Sequence, residues 1–91
     1  MRVHWTESAL LDLREIYQFI VQDNPTAADD LLARLLAAGD ALRSMPNRGR
    51  PARRRSLREL VVTRLPYILT YHVSKDGVAI IRVRHGARNR L

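Results

Sequence analysis

The chain has 91 residues, which is enough for one small domain (1–91) and too few for two. Hydrophobic residues make up 46% of it, which excludes a disordered chain, and the absence of cysteine excludes disulfides, thiolate metal sites and cysteine nucleophiles. The formal net charge of +7 divides into −3 for residues 1–45 and +10 for residues 46–91, and 15 of the 16 basic side chains are arginine. The concentration of arginine in residues 46–91 is typical of a protein surface that binds phosphates or carboxylates.

A short strand followed by an amphipathic helix is predicted at the start of the chain. Residues 1–5 alternate between apolar and polar side chains, which is typical of a strand. Thr6-Glu7-Ser8 then offers a hydroxyl cap and an acid for the first turn of a helix, which should run to about Gln22. Its apolar stripe consists of Ala9, Leu13, Ile16, Tyr17 and Ile20. Asp12 falls outside this stripe and is predicted to lie on the outer surface.

A second helix is predicted directly after the first. The segment 23–26 (Asp-Asn-Pro-Thr) ends one helix and starts the next, because proline is tolerated in the first turn of a helix. The apolar stripe of the second helix consists of Ala28, Leu31, Leu35, Ala38 and Leu42. Because the connection is so short, the two helices should form a hairpin.

The second half of the chain is predicted to contain a loop and three strands. Residues 44–56 form the loop, since they include two prolines and a glycine. The densest charge lies in this loop and just beyond it: Arg48, Arg50, Arg53, Arg54, Arg55 and Arg58. Strands are predicted over 58–63, 67–73 and 78–84, with an Asp-Gly hairpin turn in 74–77 and a basic tail over 85–91.

These elements predict an α+β fold, with a helical hairpin packed on a small antiparallel sheet and the element order β-α-α-β-β-β. The last three strands form an antiparallel meander, and the first strand joins it. The helices cover one face of the sheet and leave the other face partly open. Arg82 and Arg84 share one side of the last strand, but a one-residue slip in register would move both to the opposite face.

Several motifs occur in a fixed order along the whole chain. They are Trp5 with Ala9–Leu13, Asn24-Pro25 with Ala27-Ala28, Pro46-x-x-Gly49-Arg50, Arg58–Val62, Tyr67-x-x-x-Tyr71, and Val83-x-His85-Gly86-Ala87-Arg88. Together with the order of elements, this set resembles the RelE/ParE family of type II toxins. The resemblance implies a hetero-oligomer with a cognate ParD-like antitoxin, whose acidic, helical C-terminal segment folds onto the toxin.

The resemblance leaves two targets open. RelE-like members of the family cut mRNA in the ribosome, whereas ParE-like members poison DNA gyrase and are not known to need nuclease residues. The middle of this chain offers arginine but no lysine, and Gly86 follows His85 where a nuclease member would carry an aromatic residue. The sequence therefore favours the ParE-like, non-enzymatic interpretation over a ribosome-dependent endonuclease.

If the chain is instead a metal-independent endoribonuclease, its candidate catalytic residues are Arg64, Arg82, Arg84 and His85. Tyr67 or Tyr71 would assist them. Such a site needs cations for the phosphate and a proton donor for the leaving oxygen. Arginine stabilises charge but is a poor general base, because its pKa is very high.

A second set of residues is predicted to bind the target or the antitoxin. It consists of Arg53, Arg54, Arg55, Arg58, Arg82, Arg84, His85 and Arg88. The more ordinary interpretation of the triple arginine 53–55 is a solvated loop. Trp5 is predicted to be core, Tyr67 and Tyr71 to pack with their hydroxyls at the rim, and Glu59 to pair with a neighbouring arginine.

No metal or cofactor is predicted. The three histidines, His4, His72 and His85, lack metal-ligand spacing and acidic companions. The opening residues contain no apolar leader and no apolar run reaches membrane length, so a cytoplasmic protein is expected. A non-enzymatic nucleic-acid-binding module is a third alternative, although the chain has no strongly basic helix for a major groove.

Overall fold

The computed structural model describes residues 1–54 and 56–86. Its helices and strands are β1 (Arg2–Trp5), α1 (Glu7–Val21), α2 (Pro25–Asp40), β2 (Arg50–Pro51), β3 (Leu57–Val61), β4 (Tyr67–Ser74) and β5 (Gly77–His85). The strands form one sheet in the order β1-β5-β4-β3-β2, and the helices pack on it. The predicted fold class and the order of the main elements are confirmed.

Both helices begin where their capping residues predict. The Thr6 side chain accepts a hydrogen bond from the Ala9 amide at 3.2 Å and caps α1. The Asn24 side chain accepts one from the Ala27 amide at 3.0 Å and caps α2, with Pro25 in its first turn. A single 3-10 turn, Ala41–Arg43, extends α2 and brings Leu42 fully into the core.

The sheet is mixed, because β1 lies parallel to β5 while the other neighbouring strands are antiparallel. Trp5 is the register partner of Ile80 in the parallel pair. A parallel pair requires a long connection between its strands, and the helical hairpin provides the first part of it. The Trp5 side chain packs against the core, as predicted, and reaches the buried Gly39 of α2. A Cβ at Gly39 would lie 2.2 Å from Trp5 Cζ2, so the two elements approach this closely only because the residue is glycine.

The predicted loop over 44–56 contains a short strand that the sequence did not predict. Arg50 and Pro51 form β2, an edge strand whose register partners are Glu59 and Arg58 of β3. A proline cannot donate to a sheet, so it is confined to an edge or a strand end. A two-residue strand that contains proline has no alternating pattern, which is why sequence periodicity could not indicate it.

A β-bulge fixes which face of the sheet the late arginines occupy. Arg82 pairs with Thr70 and Ile80 pairs with Tyr71, so Ile81 is an extra residue on β5. The extra residue shifts the alternation of β5 by one position. Without it, Arg82 would continue the core-facing series that ends at Ile80.

Beyond the bulge, the last residues of β5 alternate between the two faces of the sheet. Val83 is buried in the core at 3% exposure, so its neighbour Arg84, which is exposed, points to the face away from the helices. His85 returns to the side of Val83 and pairs with Tyr67 of β4. Arg84 and His85 therefore lie on opposite faces of the sheet.

Candidate functional site

A buried tyrosine hydroxyl organises the arginine-rich loop. The Tyr71 side chain is fully buried, and its hydroxyl donates to the Pro46 carbonyl at 2.7 Å and accepts from the Gly49 amide at 2.8 Å. A Cβ at Gly49 would lie 2.7 Å from this hydroxyl, so the loop closes over Tyr71 only with glycine there. The predicted rim position is therefore wrong for Tyr71. Its spacing gave no sign of the loop that covers it.

Arg58 fixes the same loop from the neighbouring strand. Its Nη1 donates to the Gly49 carbonyl at 2.6 Å and more weakly to the Asn47 carbonyl at 3.4 Å. In the next residue, Glu59, Oε1 lies 3.5 Å from Nη2 of Arg50 in β2, which confirms the predicted pairing of Glu59 with a neighbouring arginine. Arg58 thus uses Nη1 to position the loop, and the residue as a whole is half-buried.

The loop and the adjacent strands border an open basic cleft, here called the β2–β3 cleft. Its volume is about 480 Å³. The residues that matter for its chemistry are Asn47, Arg53, Arg54, Leu57, Arg58 and Val73. The structure therefore brings together three of the predicted binding residues, Arg53, Arg54 and Arg58, while Arg55 lies outside the described residues.

The predicted nuclease residues are not assembled in one place. Arg64 lies in the β3–β4 turn with φ +62°, and Arg84 lies on the open face of the sheet. His85 packs edge-to-face on Tyr67, with ring centroids 5.4 Å apart, on the helix side. The candidate residues Arg64, Arg84 and His85 thus divide between a turn and the two faces of the sheet. Arg88 lies outside the described residues.

Arg82 is engaged by α1 rather than offered to a ligand. Its Nε and Nη2 donate to Asp12 at 2.8 and 3.2 Å, and the same carboxylate accepts the Val83 amide at 2.8 Å. The hydrogen bonds that Arg82 donates to Asp12, followed by the negative charge of that carboxylate, raise the pKa of Arg82. The prediction that Asp12 lies on the outer surface is wrong, since only 13% of its side chain is exposed. Its carboxylate accepts a hydrogen bond from the edge of β5 at Val83, beyond the residues that pair with β1.

The outer side of α1 carries the apolar side chains that the core does not use. Leu10, Leu11 and Phe19 are 51%, 53% and 75% exposed. On the same hairpin the Tyr17 hydroxyl donates to Asp29 at 2.6 Å, a bond that raises the pKa of Tyr17. Leu10 and Leu11 lie in one turn of α1 and Phe19 lies about two turns later, and exposed apolar side chains on a helix are typical of a surface that binds another helix.

Comparison with known proteins places the whole fold in a family. The model for the ParE toxin of the type II toxin-antitoxin system parDE matches residues 3–90. The chain belongs to this ParE toxin family. It is 46% identical over 87 residues to the toxin RelE2 of Caulobacter vibrioides, covering 96% of this chain and 97% of that protein. It is also 46% identical over 84 residues to the protein Y4kP of Sinorhizobium fredii, covering 92% and 86% of the two chains.

A solved structure supports the same assignment. A chain from the chromosomal ParDE toxin-antitoxin system of P. aeruginosa superposes with a TM-score of 0.87 and 26% identity. The alignment covers 93% of this ParE-family chain and 95% of that one. The protein is therefore a type II toxin-antitoxin toxin of the RelE/ParE kind, as the ordered motifs indicated.

The ParE-family motifs of this chain mostly build the scaffold. Pro46, Gly49, Arg58 and Tyr71 meet in the loop described above, and Trp5 packs on Gly39. Within residues 1–54 and 56–86 no group of three or more histidine, cysteine, aspartate or glutamate side chains could hold a metal ion. No described helix is both long and apolar enough to cross a bilayer.

Proposed function

We propose that this ParE-family toxin inhibits growth by poisoning DNA gyrase in the cytoplasm and that a cognate ParD-like antitoxin neutralises it. The observation that carries the proposal is the likeness to a chain of the P. aeruginosa ParDE system over nearly the full length of both chains. The family model over residues 3–90 is also that of the ParE toxin rather than of a ribonuclease. Gyrase is the target that a ParE-like resemblance implies.

The distribution of the basic residues supports a non-enzymatic inhibitor. Cleavage at a 2′-hydroxyl requires a base, a phosphate-binding cation and an acid within reach of the same atoms. Here Arg82 is held by Asp12, and Arg84 and His85 point to opposite faces of the sheet. Arginines held apart in this way suit contacts with a large partner better than they suit one reaction centre.

The surface also suits a helical antitoxin. The exposed side chains of Leu10, Leu11 and Phe19 offer apolar area to an amphipathic helix. The excess of positive charge in residues 46–91 favours a partner that carries carboxylates and speeds its capture. Both features support a hetero-oligomer with an acidic antitoxin.

A second candidate function is ribosome-dependent cleavage of mRNA. It is favoured by the 46% identity to a protein named RelE2 and by the edge-to-face contact between Tyr67 and His85. A phenol and an imidazole in contact, next to the turn that carries Arg64, are groups that general acid catalysis uses.

Purified gyrase separates the two candidates. The full chain is added to gyrase, ATP and plasmid DNA, the reaction is stopped with a protein denaturant, and linear DNA covalently bound to gyrase is measured. Accumulation of linear DNA that disappears when the cognate antitoxin is added supports gyrase poisoning. The opposite outcome is intact DNA in this assay together with cleavage of mRNA at codon-related positions on translating ribosomes. It would refute gyrase poisoning and support the nuclease function.

Two substitutions then test the basic end of the sheet. Arg84→Gln alters the open face of the sheet, and His85→Ala alters the face that the helices cover. The control is Arg14→Gln, which removes one positive charge from the exposed side of α1. Arg82 is avoided because its loss would leave Asp12 without its ion pair. Reduced gyrase poisoning by Arg84→Gln, but not by Arg14→Gln, would assign the open face to the target.

A further inference from the structure

The β2–β3 cleft carries positive charge that the described chain does not neutralise. No acidic side chain is among its described lining residues, and the ion pairs within residues 1–54 and 56–86 are Arg50–Glu59 and Arg82–Asp12. Arg53 and Arg54 are exposed at the rim, and Arg58 is half-buried. Three arginines therefore line one cleft without a described carboxylate in ion-pair contact.

Arg58 makes the cleft more than a loose group of surface arginines. Its Nη1 is fixed by the Gly49 carbonyl at 2.6 Å, and Gly49 is itself fixed by the buried Tyr71 hydroxyl. The partners of Arg58 are neutral carbonyls, so the charge is oriented but not compensated. A held guanidinium loses little side-chain entropy when it binds an anion, which favours binding.

The walls of the cleft distinguish between possible anions. Leu57 of β3 lines it together with Pro51 and Ala52, so part of its lining is apolar. A nucleic-acid backbone would use only the guanidinium groups, because its contacts with such a surface are mainly phosphate contacts. A peptide that carries both carboxylates and an aliphatic side chain would use both the arginines and the apolar part of the lining.

We propose that the β2–β3 cleft binds an acidic peptide segment of the antitoxin. Carboxylates of that segment pair with Arg53, Arg54 and Arg58, and one aliphatic side chain packs on Leu57. The proposal rests on the antitoxin partnership proposed above and adds the place where acidic residues of the partner dock. This place is separate from the apolar outer side of α1, so the antitoxin holds the toxin at two surfaces.

Direct binding tests the cleft with the full toxin chain. The probes are fluorescein-labelled Glu-Glu-Leu-Glu-Glu, its uncharged analogue Gln-Gln-Leu-Gln-Gln, and a single-stranded oligothymidylate of about eight nucleotides. The glutamate peptide is expected to bind and the glutamine peptide is not. The double variant Arg53→Gln/Arg54→Gln should weaken binding about tenfold or more, because it removes two charge-assisted contacts. Leu57→Ala should weaken binding of the glutamate peptide by several fold through the lost apolar contact.

The double variant Arg14→Gln/Arg43→Gln provides the matched control, since it removes two exposed arginines that do not line the cleft. An equal loss of affinity in this control would overturn the proposal, because binding would then follow net charge alone. Binding of the oligothymidylate, with peptide affinity unchanged in Leu57→Ala, would assign the cleft to phosphates instead. Absence of peptide binding by the wild-type chain would also overturn it.

A displacement experiment tests whether the segment that binds the cleft belongs to the antitoxin. Full-length cognate antitoxin is added to the toxin loaded with the labelled glutamate peptide, and displacement is followed by fluorescence anisotropy. Displacement supports docking of the antitoxin in the cleft, and a toxin–antitoxin complex that still binds the peptide refutes it. The mixture contains no gyrase, so the docking proposal can fail while gyrase poisoning remains intact, and the gyrase assay can fail while docking remains intact.

Discussion

Removal of a single oxygen tests whether Tyr71 holds the arginine-rich loop in place. Tyr71→Phe keeps the buried ring and deletes the hydroxyl that contacts the Gly49 amide and the Pro46 carbonyl. The Gly49 amide is buried, so it loses its partner in a place that bulk water does not reach. A buried donor without a partner costs about 1–3 kcal/mol, and the part-buried Pro46 carbonyl adds a smaller amount.

The expected loss for Tyr71→Phe is therefore about 2–3 kcal/mol in the free energy of unfolding. For a domain of this size each kcal/mol lowers Tm by about 4–8 °C, so Tm should fall by about 8–24 °C. Chemical denaturation followed by circular dichroism measures the free energy, and an unchanged m-value would show that the unfolded reference is the same. Calorimetry measures the fall in Tm independently.

Tyr17→Phe is the matched control for this experiment. It deletes a tyrosine hydroxyl that donates to Asp29 on the exposed surface of the helical hairpin. Its effect on stability should be clearly smaller. If the two variants lose the same stability, either water replaces the Tyr71 hydroxyl or the loop relaxes, and the idea that this hydroxyl organises the loop is refuted.

Three further outcomes follow from single contacts. Asp12→Ala should cost about 2 kcal/mol, more than Arg82→Ala, because it also orphans a backbone amide on β5; a larger loss for Arg82→Ala in urea titrations would contradict this. Gly39→Ala should destabilise the protein by about 1–3 kcal/mol through overpacking against the sole tryptophan, despite its better helix propensity. Thermal melts that follow tryptophan emission would measure this, and a stabilised variant would show that α2 can move away. The bond to Asp29 raises the pKa of Tyr17, so its stabilising effect is complete below the unfolded pKa near about 10 and is lost as pH rises through the folded pKa. The difference in stability between wild type and Tyr17→Phe should shrink in alkaline solution, and a constant difference across pH 8–11.5 would refute this assignment.

Local signals predicted the helices correctly. Thr6 and Asn24 sit immediately before an apolar period and offer side-chain acceptors, so the starts of α1 and α2 were fixed within a few residues. The Ser74–Gly77 turn likewise follows from local chemistry, with φ +148° at Gly77. These predictions depend only on interactions between residues that are close in sequence.

Contacts across the sheet were not predictable in this way. The bulge at Ile81 depends on how β5 meets β4, and nothing within β5 announces an extra residue. Asp12 had the appearance of an ordinary surface acid, because its partners Arg82 and Val83 lie about 70 residues later in the chain. The candidate site shares this difficulty: Arg53 and Arg54 could be selected by their charge, but the cleft beside them forms only when β2 pairs with β3.

The junction of β1, α1 and β5 ties the first residues of the chain to the last described strand. The Thr6 amide donates to the Ile80 carbonyl at 3.0 Å, and the Thr6 hydroxyl donates to the Ile81 carbonyl across a separation of 75 residues. A loop of that length must close before either contact forms, so β1 finds its place only after residues 1–81 have left the ribosome. The helical hairpin, whose contacts are local, can form earlier, so the pairing of β1 with β5 is a late step that completes the sheet during synthesis.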